Sequence, residues 1–173
     1  MIIIIYGNIG GGKTTIAKAL ADKLDFDLIH FDPLVQAVTG KENMYGNDGS
    51  FLLSDEEIEQ VHYAMRDKAR NCIILGRNII LESMFFKKQR EEAIELAEEM
   101  NIPFKLIEVV CDEEEAINRI KNRLDKNSQS AGISLFLENK DQLKDEKREH
   151  IIIDTTNKSV EKCIKEITHI IGL

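Results

Sequence analysis

The chain has 173 residues, 43% of them hydrophobic and 31% charged, with a formal net charge of -8. That length suits one domain with a core of its own, and the composition excludes a disordered chain. The acidic balance gives no general attraction to nucleic acid or an anionic membrane, and no run approaches the ~20 apolar residues of a membrane span.

The chain opens on Ile2–Tyr6, a β-branched run that reads as a strand buried on both faces. It lacks the basic flank and the length of a signal peptide, so the expected compartment is the cytoplasm. A glycine-rich loop follows. Next comes a predicted helix from about Lys13 to Leu24, with Ile16, Ala17, Leu20 and Leu24 on one side. Asp27–Phe31 reads as the second strand, and Pro33–Ser54 as a turn-rich loop. Ser54-Asp55-Glu56-Glu57 is a capping box that opens a helix carrying Ile58, Val61, His62, Met65 and Ala69. Asn78–Leu81 reads as a strand and Lys87–Met100 as a helix that stops before Pro103. Phe104–Val110 is the fourth strand, and Asp112 caps a helix with Ile117, Ile120 and Leu124 inward. Asp125–Gly132 is polar, and Ile133–His150 reads as a charged helix. A strand at Ile151–Asp154 and a helix from near Ser159 close the chain.

Cys72, Cys111 and Cys163 are far apart and form no Cys-x-x-Cys pair, so they are expected as small core residues in a reducing compartment. The four histidines show no ligand spacing, and no metal is assigned to them.

Alternating strands and helices predict a parallel sheet with helices on both faces. Ligands bind such sheets beyond the C-terminal strand ends, which places the glycine loop, Asp32, Glu82, Cys111-Asp112 and Thr155-Thr156 along one edge.

Gly7-Asn8-Ile9-Gly10-Gly11-Gly12-Lys13-Thr14 matches the full phosphate-loop pattern, between a strand and a helix as the motif requires. Glycines permit the dihedrals that turn successive N–H groups toward a phosphate. The helix that follows adds unpaired N–H groups and its positive dipole end. Lys13 supplies a mobile charge for the β- and γ-phosphates, Thr14 a hydroxyl for Mg²⁺, and Thr15 a donor to a phosphate. The fold class is therefore α/β, a three-layer P-loop NTPase fold with a central parallel sheet of about five strands.

Guanine specificity has no support, because Asn139-Lys140-Asp141-Gln142 and Asn157-Lys158-Ser159-Val160 both lack the required Asp. A motor-type ending of apolar residues and Asp-Glu is also missing, since Ile79-Ile80-Leu81 runs into Glu82-Ser83.

The chain resembles small P-loop kinases of the nucleoside-monophosphate-kinase-like group, and most of all the ATP-binding proteins related to zeta toxins, chloramphenicol phosphotransferase and polynucleotide kinase. The resemblance rests on the glycine loop, His30-Phe31-Asp32, Gly76-Arg77-Asn78-Ile79-Ile80-Leu81-Glu82, Arg90 in its helix, and Arg119-x-x-x-Arg123. It implies ATP and Mg²⁺ as cofactors and phosphoryl transfer to an unidentified acceptor. By the same resemblance, Asp32 is the acceptor's general base, and Arg119 and Arg123 reach the transferring phosphate or stack on adenine. Spacing alone also allows a solvated pair with Glu115. Lys126 can join that cluster.

Glu82 stands where the family usually has Asp; its longer carboxylate can hold a Mg²⁺-bound water, bind substrate or cap a helix. Arg77 and Arg90 can bind an anionic substrate or be surface arginines. Thr156 matches by position a place where related kinases touch adenine. Residues 125–150 are a candidate lid. A nucleotide-dependent switch and a nucleic-acid end kinase are the alternative readings; the acidic charge speaks against the second.

Overall fold

The computed structural model describes residues 1–143 and 149–173. Strands β1 (Ile2–Tyr6), β2 (Asp27–His30), β3 (Ile79–Glu82), β4 (Phe104–Val110) and β5 (Ile151–Asp154) form a sheet in the order β2-β3-β1-β4-β5. Every pairing is parallel. The helices are α1 (Lys13–Leu24), α2 (Asp32–Thr39), α3 (Asp55–Ile74), α4 (Lys87–Glu99), α5 (Glu113–Lys126), α6 (Ile133–Asn139) and α7 (Val160–Ile171).

β1 shows why the sheet is central. All five of its side chains are fully buried, and they alternate between the two faces. Ile2, Ile4 and Tyr6 pack with Val61 and Met65 of α3 and Ala93 and Ala97 of α4. Ile3 and Ile5 pack with Ile16 and Leu20 of α1 and with Cys163 and Ile167 of α7. Each such side chain contributes roughly 1.5–3 kcal/mol by leaving water. A third, smaller cluster joins the glycine loop to the later helices through Ile9, Ala116, Ile120, Ala131 and Phe136.

Ser54 and Glu57 form the reciprocal capping box that starts α3. The turn-rich reading of 33–54 missed α2. Pro33 stands in its first turn, where a missing N–H costs nothing, and Gly40 ends it in a left-handed conformation. The helix predicted over Ile133–His150 is also corrected. Helix α6 stops at Asn139, and turns occupy 140–143. Of the remainder, 144–148 lie outside the described residues, and Glu149 and His150 are not helical. Cys163 is buried as expected, while Cys72 and Cys111 are only half-buried, and all three are free thiols. Among the described residues no helix is long and apolar enough to cross a membrane, and no group of His, Cys, Asp and Glu is arranged to hold a metal ion.

Candidate active site

Register aligns the C-terminal ends of the strands around the glycine loop. Ile5 of β1 is level with Glu82 of β3, and Glu82 with His30 of β2. The loop then leaves β1 hard against β4. A Cβ on Gly7 would lie 2.2 Å from the Val109 carbonyl oxygen, at a φ of 146°. Gly12 caps α1 in the left-handed region, with no side chain bonded to the first turn and no acidic residue within it. The first-turn N–H groups and the helix dipole therefore face outward, ready for an anion.

Asn8 fixes the loop from outside. Its Nδ2 donates to the Phe136 carbonyl at 2.9 Å, and its Oδ1 accepts from Ile9 N–H at 2.8 Å. Lys13 Nζ folds back to the Asn8 carbonyl at 3.4 Å and lies 4.0 Å from Glu82 Oε1. Thr14 Oγ1 donates to Glu82 Oε2 at 3.2 Å. Burial is the main cause that pushes the Glu82 carboxyl above its ordinary value, with the Lys13 charge opposing it. His30 Nδ1 lies 3.8 Å from the same carboxylate, but burial lowers its pKa, so this is a neutral imidazole rather than an ion pair.

The two arginines of α5 separate. Arg119 lies over the back of the loop. Its Nη1 donates to the Gly10 carbonyl at 3.3 Å and to Thr155 Oγ1 at 3.0 Å, and its Nη2 to the Thr155 carbonyl at 3.1 Å. Its Nε also pairs with Glu115 at 2.8 Å, the pairing that helical spacing allows. Thr155 Oγ1 in turn donates to the Gly11 carbonyl at 2.8 Å. Thr155 thus touches the loop. Thr156, the residue singled out in the sequence, accepts from Asp112 N–H at 2.7 Å instead. Arg123 alone enters the cleft beside the loop, with Asp32 and Tyr45. Lys126 is the last residue of α5 and does not line that cleft.

The cleft has a volume of about 330 Å³ and runs from Gly10, Gly12, Lys13, Thr14 and Thr15 toward β3, β2 and α3. Asp32, first residue of α2, is exposed on its wall. Beyond it the cleft is aromatic. His62 packs against Phe31 at 5.0 Å and Phe85 at 5.2 Å between ring centroids. Burial lowers the His62 pKa to about 4, so its ring is neutral. Phe85 has a φ of 46°, unusual for a bulky residue, and Arg90 Nη1 holds its carbonyl at 2.7 Å.

Arg90 is therefore neither a surface arginine nor a cleft residue. It is 1% exposed and stacks over Tyr6 at 4.5 Å. Arg77 pairs with Asp27 at the opposite ends of the strands. In the sequence His62 reads as part of the α3 stripe and Asp55 as part of the capping box, and Tyr45 lies in the turn-rich loop, yet all three line the cleft. No local signal marks them, because the cleft assembles from distant segments.

A family model described as AAA domain matches residues 2–145. The chain is 27% identical over 169 residues to a shikimate kinase of Bacillus anthracis, covering 95% of this chain and 94% of that one. It is 28% identical over 94 residues to a shikimate kinase of Thermodesulfovibrio yellowstonii, and there the match spans only about half of each protein, 53% and 54%. Among solved structures, the APS kinase of Mycobacterium tuberculosis in complex with AMPPNP and APS superposes with a TM-score of 0.69. The identity is 13%, covering 99% of this chain and 97% of that one, a likeness of fold. The family match takes in the phosphate loop, Asp32, Glu82 and both arginines of α5, and the chain belongs to this AAA-domain family of P-loop proteins.

Proposed function

We propose that the chain is a kinase that transfers the γ-phosphoryl group of Mg·ATP to a hydroxyl or phosphate acceptor on a small molecule or nucleotide. The observation that carries this is the joining of two things in one cleft: a phosphate loop with open first-turn amides, and Asp32, which a nucleotide switch has no need of. The likeness to shikimate kinases over nearly the whole chain supports the same reading.

The loop from Gly7 to Gly12 and Thr15 bind the triphosphate through N–H groups and a hydroxyl, and Lys13 neutralises its β- and γ-oxygens. Oxygen ligands suit Mg²⁺, and Thr14 Oγ1 and Glu82 already converge at 3.2 Å. A cation there would offset the buried Glu82 charge. Those two residues would hold it, Glu82 directly or through water, and it would supply charge neutralisation between the β- and γ-phosphates. The acceptor oxygen forms the new bond to the γ-phosphorus as the bond to the β–γ bridging oxygen breaks. ADP leaves, and Asp32 takes the acceptor proton. Arg123 stabilises charge on the moving phosphoryl group. Arg119 acts on the nucleotide side, where Thr155 and Thr156 would border the adenine.

The protein would work in the cytoplasm as one domain over 1–173. Of the candidate lid 125–150, residues 144–148 lie outside the described residues; the described part that carries α6 would close over the nucleotide, because Leu135, Asn139 and Gln142 already stand on the cleft wall. The reading is tested by ADP release across a panel of nucleosides, sugars, antibiotics and RNA ends. Wild-type protein should show slow release alone and faster release with its acceptor. Lys13→Ala should lose turnover by roughly 10²-fold or more. A folded Lys13→Ala variant with unchanged ATP affinity and rate would overturn the assignment.

A further inference from the structure

Tyr45 stands where two cavities meet. A second cavity of about 260 Å³ adjoins the cleft, and Asp32, Met44, Tyr45 and Arg123 line both. Tyr45 therefore shares its wall with the proposed base and with the arginine assigned to the moving phosphoryl group.

The chain around Tyr45 holds it in place. Gly46 N–H donates to the Ser50 carbonyl at 3.0 Å and Leu52 N–H to the Met44 carbonyl at 2.9 Å. Tyr45 and Phe51 face each other across this hairpin as an antiparallel bridge, with ring centroids 5.6 Å apart. Gly49 seats the hairpin against the start of α6. A Cβ on Gly49 would fall 2.6 Å from Gly132 Cα, and its φ is 77°, so only glycine permits this approach. Tyr45 also packs on the apolar cluster that holds Ile9 of the phosphate loop, Ala131 and Phe136. The ring is thus ordered on one side by its hairpin and on the other by the neighbours of the loop, before any ligand arrives.

The hydroxyl keeps its proton. Burial is the main cause that raises the phenol above its ordinary value; the Asp32 charge adds to it, Arg123 opposes it and Glu82 adds again. A neutral phenol can donate. It also suits a place beside Asp32. A further cation there would pair with the carboxylate and weaken it as a base, whereas a neutral donor does not.

We propose that the Tyr45 hydroxyl donates a hydrogen bond to an oxygen of the γ-phosphoryl group, beside Arg123, and that this bond tightens as charge gathers there in the transition state. The phenol keeps its proton throughout, and no bond is made or broken at Tyr45. This rests on the kinase reading, but the contact can be measured without the acceptor.

The probe is aluminium fluoride, which takes the place of the transferring phosphoryl group beside Mg·ADP. Calorimetry compares Mg·ADP with and without it, on wild-type protein and on Tyr45→Phe, which keeps the ring and its packing. Tyr45→Phe should bind Mg·ADP as wild type does and lose roughly tenfold in affinity for the fluoride complex, the scale of one hydrogen bond to a charged group. Its slow ATPase kcat should fall by a similar factor at unchanged KM. Wild-type affinity of Tyr45→Phe for the fluoride complex would overturn the proposal. So would an equal loss for Mg·ADP alone, which would make the residue a prop for the loop. A second readout needs no variant. With 3-fluorotyrosine at the three tyrosines, a fluorine signal should move when aluminium fluoride joins the Mg·ADP complex; three unmoved signals would also overturn it. If aluminium fluoride adds nothing to the binding of Mg·ADP by wild-type protein, the phosphoryl-transfer reading itself fails, and this proposal with it.

Discussion

The two sides of the phosphate loop are built differently. On the β4 and β5 side the loop is clamped: Arg119 and Thr155 satisfy the carbonyls of Gly10 and Gly11 through hydrogen bonds of 2.8–3.3 Å. On the β3 and β2 side the loop faces open volume walled by aromatic rings and carboxylates. The first side is preorganised and polar; the second is shaped and apolar. An enzyme that must hold one constant ligand and one specific ligand benefits from that division, since rigid amides suit a phosphate and pocket shape suits an organic body.

The largest expected effect is at the meeting of the two sides. Asp32→Asn should cut transfer to the acceptor by about 10²-fold or more, the usual scale for a lost general base, and leave ATP affinity nearly intact. Single-turnover kinetics with calorimetric ATP binding would separate the two. A wild-type rate would make Asp32 merely the first residue of α2.

Arg119→Ala breaks the clamp alone. It should raise the KM for ATP by roughly tenfold while changing acceptor KM little, because its bonds are to the loop and not to the cleft. Charge-assisted bonds of this kind are each worth about 1.5–3 kcal/mol, discounted here because the side chain is 30% exposed. Chemical denaturation should therefore also show a loss of stability. A purely acceptor-side defect would break the comparison.

His62 sharpens the other side. Its folded pKa of about 4 lies below the unfolded value of 6.5, so the fold binds the proton less well than the unfolded chain does. Its contribution is fully present above pH 6.5 and is lost as pH falls toward 4, for a total of about 3 kcal/mol. His62→Gln should flatten that part of the stability profile. Denaturant midpoints taken every half unit of pH would show it, and an unchanged slope would mean the ring is not buried as a neutral group.

The smallest effect concerns residues 125–150. Their polar start and charged composition suggest weak packing, yet Ser130, Ala131 and Phe136 are buried, and Gly132 N–H donates to the Gly49 carbonyl at 2.9 Å. Hydrogen exchange with an ATP analogue should therefore protect α6 only modestly. Strong protection there would mean that a larger closure carries the nucleotide.

The same contrast governs what the sequence reveals. The phosphate loop is written locally: strand, glycines, lysine, threonine and helix follow one another within Ile2–Leu24, so pattern and structure coincide, whereas its clamp comes from Arg119 and Thr155, far along the chain. Thr155 was named beside Thr156, but position alone does not say which hydroxyl turns toward the loop. The open side is assembled from β2, α3 and the β3–α4 turn. His62 sits in an apolar stripe at helical spacing and reads as core, which it also is. Phe85 reaches the cleft through a left-handed residue that no propensity foretells. Arg90 reads as a surface residue because burial of its guanidinium depends on Tyr6, far from it in sequence, and on the carbonyl of Phe85, whose left-handed backbone no propensity foretells.

The division of labour is tested most directly by amide NMR on the free protein titrated with Mg·AMPPNP. The account predicts shift changes along Gly7–Thr15 and around Arg119 and Thr155–Asn157, while the middle of α3 about His62 stays where it was. Changes centred on Ile58–His62, with Arg119 and Thr155 silent, would contradict it.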